Sequence, residues 1–221
     1  MFQDVGNSRR QSADQPERKT LSVAFRVWLL SLLICTLAIA AAFLYFDVSI
    51  ATRVQGILSS AQSLARGLGS AVLLGVETAI ALALILIRMI RGRLSPFGKV
   101  TVLACLTSIC AYTINDSTLK LLFGVPVPAA VLHGSRHAFH LLGGSSGSSF
   151  PSGHMVLAGA FAGVFMRFYR TCIAPFSILL SIAAVLLIVG DWHFLSDVIA
   201  GTFVGVSTGL LAGELWFVHA N

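Results

Sequence analysis

Two short stretches hold residue types able to do covalent chemistry: Phe150-Pro151-Ser152-Gly153-His154 and Asp191-Trp192-His193-Phe194-Leu195-Ser196-Asp197. His193 and Asp197 are four residues apart, so on a helix they share one face. A carboxylate placed there fixes the imidazole tautomer and favours its imidazolium-like form. His193 is therefore the candidate nucleophile and Asp197 its orienting partner. His154 sits just inside the start of an apolar run and is free to act as general acid on a leaving oxygen. Ser152 and Gly153 present a hydroxyl and a backbone N–H at a helix N-terminus, a geometry that binds phosphate and other anions. Pro151 suits a first turn because it lacks a donor that would go unpaired there. Lys120, ahead of Pro126 and Pro128, adds a cation. A single histidine near a membrane surface reads as an interfacial polar residue. Two histidines, an aspartate and a phosphate-shaped helix start read as nucleophilic phosphoryl chemistry.

The elements that position these residues are membrane helices. The chain of 221 residues is 56% hydrophobic and only 11% charged, against roughly 25% charged in a soluble domain. Several long apolar runs then give an all-α integral membrane bundle. Six transmembrane helices are predicted, over about residues 24–46, 68–90, 100–114, 151–168, 173–190 and 196–217. Residues 1–22 are polar and mixed in charge and are expected to be a disordered cytoplasmic tail. Residues 23–221 form one six-helix domain. Between spans, 47–66 reads as a loop whose apolar spacing (Val54, Ile57, Leu58, Leu64) allows a short surface helix. Residues 115–150 read as a long polar segment. Arg9-Arg10 precedes an apolar run long enough to span, so that run is an uncleaved anchor rather than an export signal.

The net charge of +6 does not point to nucleic acid, because the positive residues sit in loops between apolar runs. The tail and the two loops on its side hold eleven Lys and Arg; the opposite side holds Arg53, Arg66, Lys120 and Arg136, which is four. That bias puts both termini in the cytoplasm and both histidine stretches on the other face. Cys35, Cys105, Cys110 and Cys172 lie in or beside apolar helices without metal-ligand spacing and read as small core hydrophobes. Gly201, Gly205, Gly209 and Gly213, with Gly159 and Gly163, recur at every fourth residue. Small residues at that spacing let helix backbones approach closely in lipid. Packing the fourth span on the sixth brings His154 to His193; packing these glycines on other helices is the alternative.

Lys120-Leu121-Leu122-Phe123-Gly124-Val125-Pro126-Val127-Pro128, then Ser149-Phe150-Pro151-Ser152-Gly153-His154, then His193-x3-Asp197 resemble the three signature motifs of the type 2 phosphatidic acid phosphatase superfamily. The resemblance covers roughly residues 65–215. It implies a membrane bundle that removes phosphate from a lipid phosphate or diphosphate (a polyprenyl diphosphate, a phosphatidate-like lipid or lipid A) with neither metal nor cofactor. The partners implied are that substrate and membrane lipids, at the periplasmic face of a bacterial-type inner membrane. By matching position, His193 would become a phosphohistidine, Asp197 would support it, and His154 would protonate the leaving group. Lys120, Ser152 and Gly153 would hold the phosphate.

The match departs at two places. The arginine seven residues after the motif lysine is Val127, and the arginine six residues before the nucleophile is Leu187. Val125 replaces a further arginine often found there. Hydrogen bonds to a charged group are worth roughly 1.5–3 kcal/mol each, so losing two amounts to about 3–6 kcal/mol of transition-state stabilisation. One substitute is Arg136, with His133, His137 and His140 on a shared helix face. That cluster admits three readings: a replacement phosphate clamp, a metal site from the His-x3-His-x2-His spacing, or an interfacial helix. Asp116, one turn before Lys120, is placed to pair with it. Glu77, inside the second span, is either functional or satisfied by neighbours such as Thr78. Trp28, Trp192 and Trp216 fall near span ends as interfacial anchors do. The competing functional reading is a catalytically weak or inactive relative that binds phospholipid headgroups or a membrane partner. A vanadate-dependent haloperoxidase shares the motifs but is not expected to span a membrane six times.

Overall fold

A computed structural model describes residues 25–55, 57 and 69–220. The expected tail over 1–22 and most of the expected surface helix over 54–64 lie outside them. The described residues form helices and the loops between them, without a strand. In chain order they form α1 (Phe25–Val54), α2 (Ser70–Arg91), α3 (Pro96–Ile114), the short α4 (Pro128–Leu132), α5 (Gly153–Phe168), α6 (Ile173–Val189) and α7 (Leu195–Ala220).

Among the described residues five helical stretches are long and apolar enough to cross a membrane: Phe25–Val54, Ser70–Arg91, Pro96–Leu132, Arg170–Val189 and Leu195–Val218. Their outer faces carry large apolar side chains that no protein covers, such as Leu82, Met89 and Val185. Water would not tolerate so much exposed apolar surface; lipid does. α5 differs. It has 16 residues, about 24 Å at ~1.5 Å per residue, against a hydrocarbon core of about 30 Å. It is buried rather than lipid-facing, with Met155, Val156, Leu157, Ala160 and Val164 almost fully covered.

Two span ends depart from the sequence reading. α1 does not stop at Phe46; a π-helical turn at Ala42–Phe46 carries it on through Asp47–Val54. α3 likewise passes through a π-helical turn, Asn115–Leu119, into Lys120–Phe123. The polar run Asn115-Asp116-Ser117-Thr118 looks like loop sequence. It stays helical, and its buried member, Asn115, donates from Nδ2 to the Pro151 carbonyl at 3.3 Å. Within Phe25–Leu37, a unit of its own, Phe25 and Trp28 stack at 6.4 Å.

α5 and α7 meet backbone to backbone, as the glycine spacing predicts. A β-carbon on Gly163 would stand 2.6 Å from the Val206 carbonyl oxygen, and one on Gly201 would stand 2.5 Å from that of Ser152. Those separations forbid any side chain, so the glycines set the depth of contact. α3 is started by Ser95, whose hydroxyl accepts from the Gly98 N–H at 3.1 Å, with Pro96 at the first turn. In the membrane interior Glu77 of α2 accepts a short hydrogen bond from Ser108 of α3. Its carboxyl is thereby satisfied structurally.

Candidate active site

The site forms where the starts of α5 and α7 come together. His193 lies in the turn before α7 and Asp197 in its first turn, so the four-residue spacing sets His193 Nδ1 3.5 Å from Asp197 Oδ2. Asp197 is fully buried, which is costly for a carboxylate unless it is paired and hydrogen-bonded. Its Oδ2 accepts the Phe194 N–H at 2.7 Å and a short bond from the Ser149 hydroxyl. Ser149 Oγ also lies 3.4 Å from His193 Nδ1. The inner nitrogen of His193 is thus fixed, and its outer nitrogen, Nε2, points away at His154. His154 Nδ1 stands 3.4 Å from it, and His154 Nε2 is buried with no partner. Trp192 walls His154 on the other side, ring centroids 5.4 Å apart.

Three of the four phosphate-binding candidates, Lys120, Ser152 and Gly153, lie beside this pair. Lys120, on the last turn of the third span, pairs with Asp116 at 3.0 Å and donates to the Ser146 carbonyl at 3.0 Å. A β-carbon on Gly153 would press to 3.0 Å from the Tyr112 ring, so glycine lets the start of α5 sit close against Tyr112, with Lys120 Nζ also at hand, 3.8 Å from that position. Ser152 spends its N–H on the Asp197 carbonyl at 3.1 Å, but its buried hydroxyl has no partner. Pro151 lies before the N-cap Ser152 rather than in the first turn.

A cavity of ≈ 580 Å³ opens in front of His193. Lys120, Val127, His133, Ser148, Asp191 and Trp192 are among its walls. Val127, where the signature arginine is expected, therefore does line this cavity, as an apolar side chain. Leu187 does not: it packs against the core of Met155, Ala162, Leu180 and Val198.

Residues 133–140 correct the sequence reading. They are not a helix. α4 ends at Leu132, Gly134 turns at φ 108, and the chain then runs beside Leu121–Val125. There His140 N–H bonds Phe123 O at 2.9 Å and Ser149 N–H bonds Val125 O at 2.7 Å. The histidines part company. His133 faces the cavity, His140 is exposed, and His137 is stacked on Phe43 at 4.1 Å, against Phe194 at 4.5 Å. Among the described residues no three His, Cys, Asp or Glu side chains gather as a metal site, so the metal reading of this cluster loses its geometry. Arg136 is exposed and is not among the cavity walls.

Sequence reasoning gave no role to Ser149, Asp191 or Asp47. Asp47, on α1, is fully buried; its Oδ1 accepts the Ser196 N–H at 3.0 Å and its Oδ2 a short bond from the Ser196 hydroxyl. His137 Nε2 approaches Asp47 at 3.5 Å, and burial holds that imidazole below the usual histidine range despite the carboxylate. The available signal for Asp47 was an acid at the end of an apolar run.

Fold and site together define an integral membrane helix bundle with two histidines and an aspartate converging at one end. The PAP2 superfamily model matches residues 98–218, and the chain belongs to that superfamily. It is similar in fold to the crystal structure of a transmembrane PAP2-type phosphatidylglycerolphosphate phosphatase from Bacillus subtilis. The TM-score is 0.54 and the identity 19%, with 86% of this chain and 94% of that chain covered. No curated protein gives a significant sequence match.

Proposed function

We propose that the protein hydrolyses a lipid phosphate or diphosphate through a phosphohistidine, without a metal. The observation that carries this reading is His193, held from behind by Asp197 and Ser149 while its Nε2 faces His154 beside a cavity that Lys120 lines. The His154 ring turns aside to admit the phosphoryl group. Nε2 attacks phosphorus, the nitrogen–phosphorus bond forms, and the bond to the lipid oxygen breaks. His154 gives that oxygen its proton, releasing a lipid alcohol, or a lipid monophosphate from a diphosphate. Water then attacks the phosphohistidine, His154 takes its proton, and inorganic phosphate leaves. Lys120, the Ser152 hydroxyl and the Gly153 N–H hold the phosphoryl oxygens.

α5 serves as the sixth span, short because neighbouring helices cover it. The Lys and Arg bias supports cytoplasmic termini and a site on the periplasmic face of a bacterial-type inner membrane. The apolar Val127 and Leu187 favour the second reading, a weak or inactive relative that binds phospholipid headgroups. Phosphate release by detergent-purified protein in chelator decides between them. Release that vanishes in His193→Ala supports the enzyme; a wild type equal to that variant on every lipid phosphate, with both proteins monodisperse, supports the binder.

A further inference from the structure

The charge on the cavity wall does not suit a bare phosphate. Of its side chains, Lys120 is already paired with Asp116 at 3.0 Å. Asp191, two residues from the nucleophile, brings a carboxyl into the same cavity. Among the described residues no cation pairs with it: its Oδ1 is buried without a hydrogen-bond partner, and His133 acts on it only at a distance. Asp191 also holds a left-handed backbone, φ 58, which Asp tolerates better than most residues but which is uncommon outside glycine. Burial pushes its carboxyl above the usual range. A carboxylate next to a phosphate site repels the substrate unless the substrate supplies a positive charge for it.

We infer that the cavity takes a lipid phosphate bearing an ammonium group near the phosphate, with Lys120 on the phosphate and Asp191 on the ammonium. The inference rests on the phosphatase reading. It accounts for the absent arginines: the substrate's own ammonium offsets part of the charge on its phosphate, so the headgroup brings less net negative charge into the cavity.

The test is a matched pair of lipids, a long-chain 2-aminoalkyl phosphate and its N-acetyl derivative, which differ at that nitrogen and its charge. Phosphate release from both is measured with purified protein and with Asp191→Asn, an isosteric change compatible with the same backbone. The expected result is a kcat/KM about tenfold higher for the amine, the size of one charge-assisted hydrogen bond. Asp191→Asn should abolish that ratio by losing rate on the amine and gaining it on the amide. Equal rates on the two lipids, or a ratio that survives Asp191→Asn, overturn the inference and leave the phosphatase reading intact. If neither lipid is hydrolysed, calorimetric binding to the solubilised His193→Ala protein decides. Tighter binding of the amine, lost in the Asp191→Asn double variant, upholds the inference; equal affinities overturn it.

Discussion

The two sides of the cavity are built in opposite ways. On the nucleophile side the groups that hold His193 are themselves anchored. Ser149 and the Phe194 N–H hold Asp197, and Asp47 holds Ser196. The helices behind them touch through glycines. On the phosphate side one lysine is shared with Asp116, Val127 is apolar, and Asp191 is acidic. The first side is preorganised in the way that makes a weak nucleophile effective. The second keeps less positive charge than a phosphate dianion calls for. Rate should therefore depend strongly on the first side, while the second governs which substrate is accepted.

The largest effect tests the first side. His193→Ala is expected to cut phosphate release by on the order of 10⁴-fold, as loss of a nucleophile does. The acid-labile phosphoprotein trapped by quenching wild type with labelled substrate should disappear with it. Residual activity above a tenth of wild type would place the nucleophile elsewhere. Next, Gly209→Leu drives a side chain into the Ala160 carbonyl of α5. Overpacking of this kind costs about 1–3 kcal/mol, to be read as a lowered thermal midpoint in detergent together with lost activity. An unchanged midpoint would mean that α5 and α7 do not pack as closely as the backbone contact requires.

Asp47 refines the same side. Asp47→Ala strips the Ser196 N–H and hydroxyl of their acceptor, and a buried unpaired donor costs about 1–3 kcal/mol. Because Ser196 immediately precedes Asp197, the expected loss is about tenfold in kcat with KM little changed. Asp47→Asn, which keeps one acceptor, should recover part of it. A loss confined to KM would show that Asp47 meets substrate instead of positioning the dyad.

These contacts also mark what could be read from the sequence and what could not. The apolar runs, the paired four-residue glycine spacing, and the His193–Asp197 pair are local or periodic, so residue order alone reveals them. Asp47 to Ser196 and Ser149 to Asp197 join residues far apart in the chain, and no period connects them. His133, His137 and His140 show the reverse failure. Their spacing fits a helix, but Gly134 breaks it at φ 108, and the following backbone spends its hydrogen bonds on Leu121–Val125. Asn115–Leu119 was missed because polar side chains resemble a loop whether or not the backbone stays helical. The amide N–H of its one buried side chain, Asn115, bonds to a residue 36 positions away.

The second side is probed by adding charge. Val127→Arg places a guanidinium on the cavity wall, where a bidentate contact to phosphate becomes possible. It is expected to raise kcat/KM on a plain alkyl phosphate about tenfold. Leu187→Arg is no equivalent, since that side chain packs against the core around Met155 and Leu180. It should lower the thermal midpoint rather than raise the rate. A rate gain from Leu187→Arg, or none from Val127→Arg, would mean that phosphate lies deeper than the cavity wall.

The smallest effect decides whether any cation has replaced the missing arginines. Arg136 is the nearest arginine in sequence to the first motif, and on a helix it would have stood with three histidines. The turn at Gly134 leaves it exposed and leaves His133 as the one of the three histidines that reaches the cavity. Arg136→Ala is accordingly expected to change kcat/KM by no more than about twofold, as surface substitutions do. His133→Ala should cost about fivefold, since a partly exposed hydrogen bond to phosphate is worth less than a buried one. If the order is reversed, the segment after α4 closes over the substrate in a form that brings the guanidinium inward. The shortage of cations on this side would then be a feature of the empty site alone.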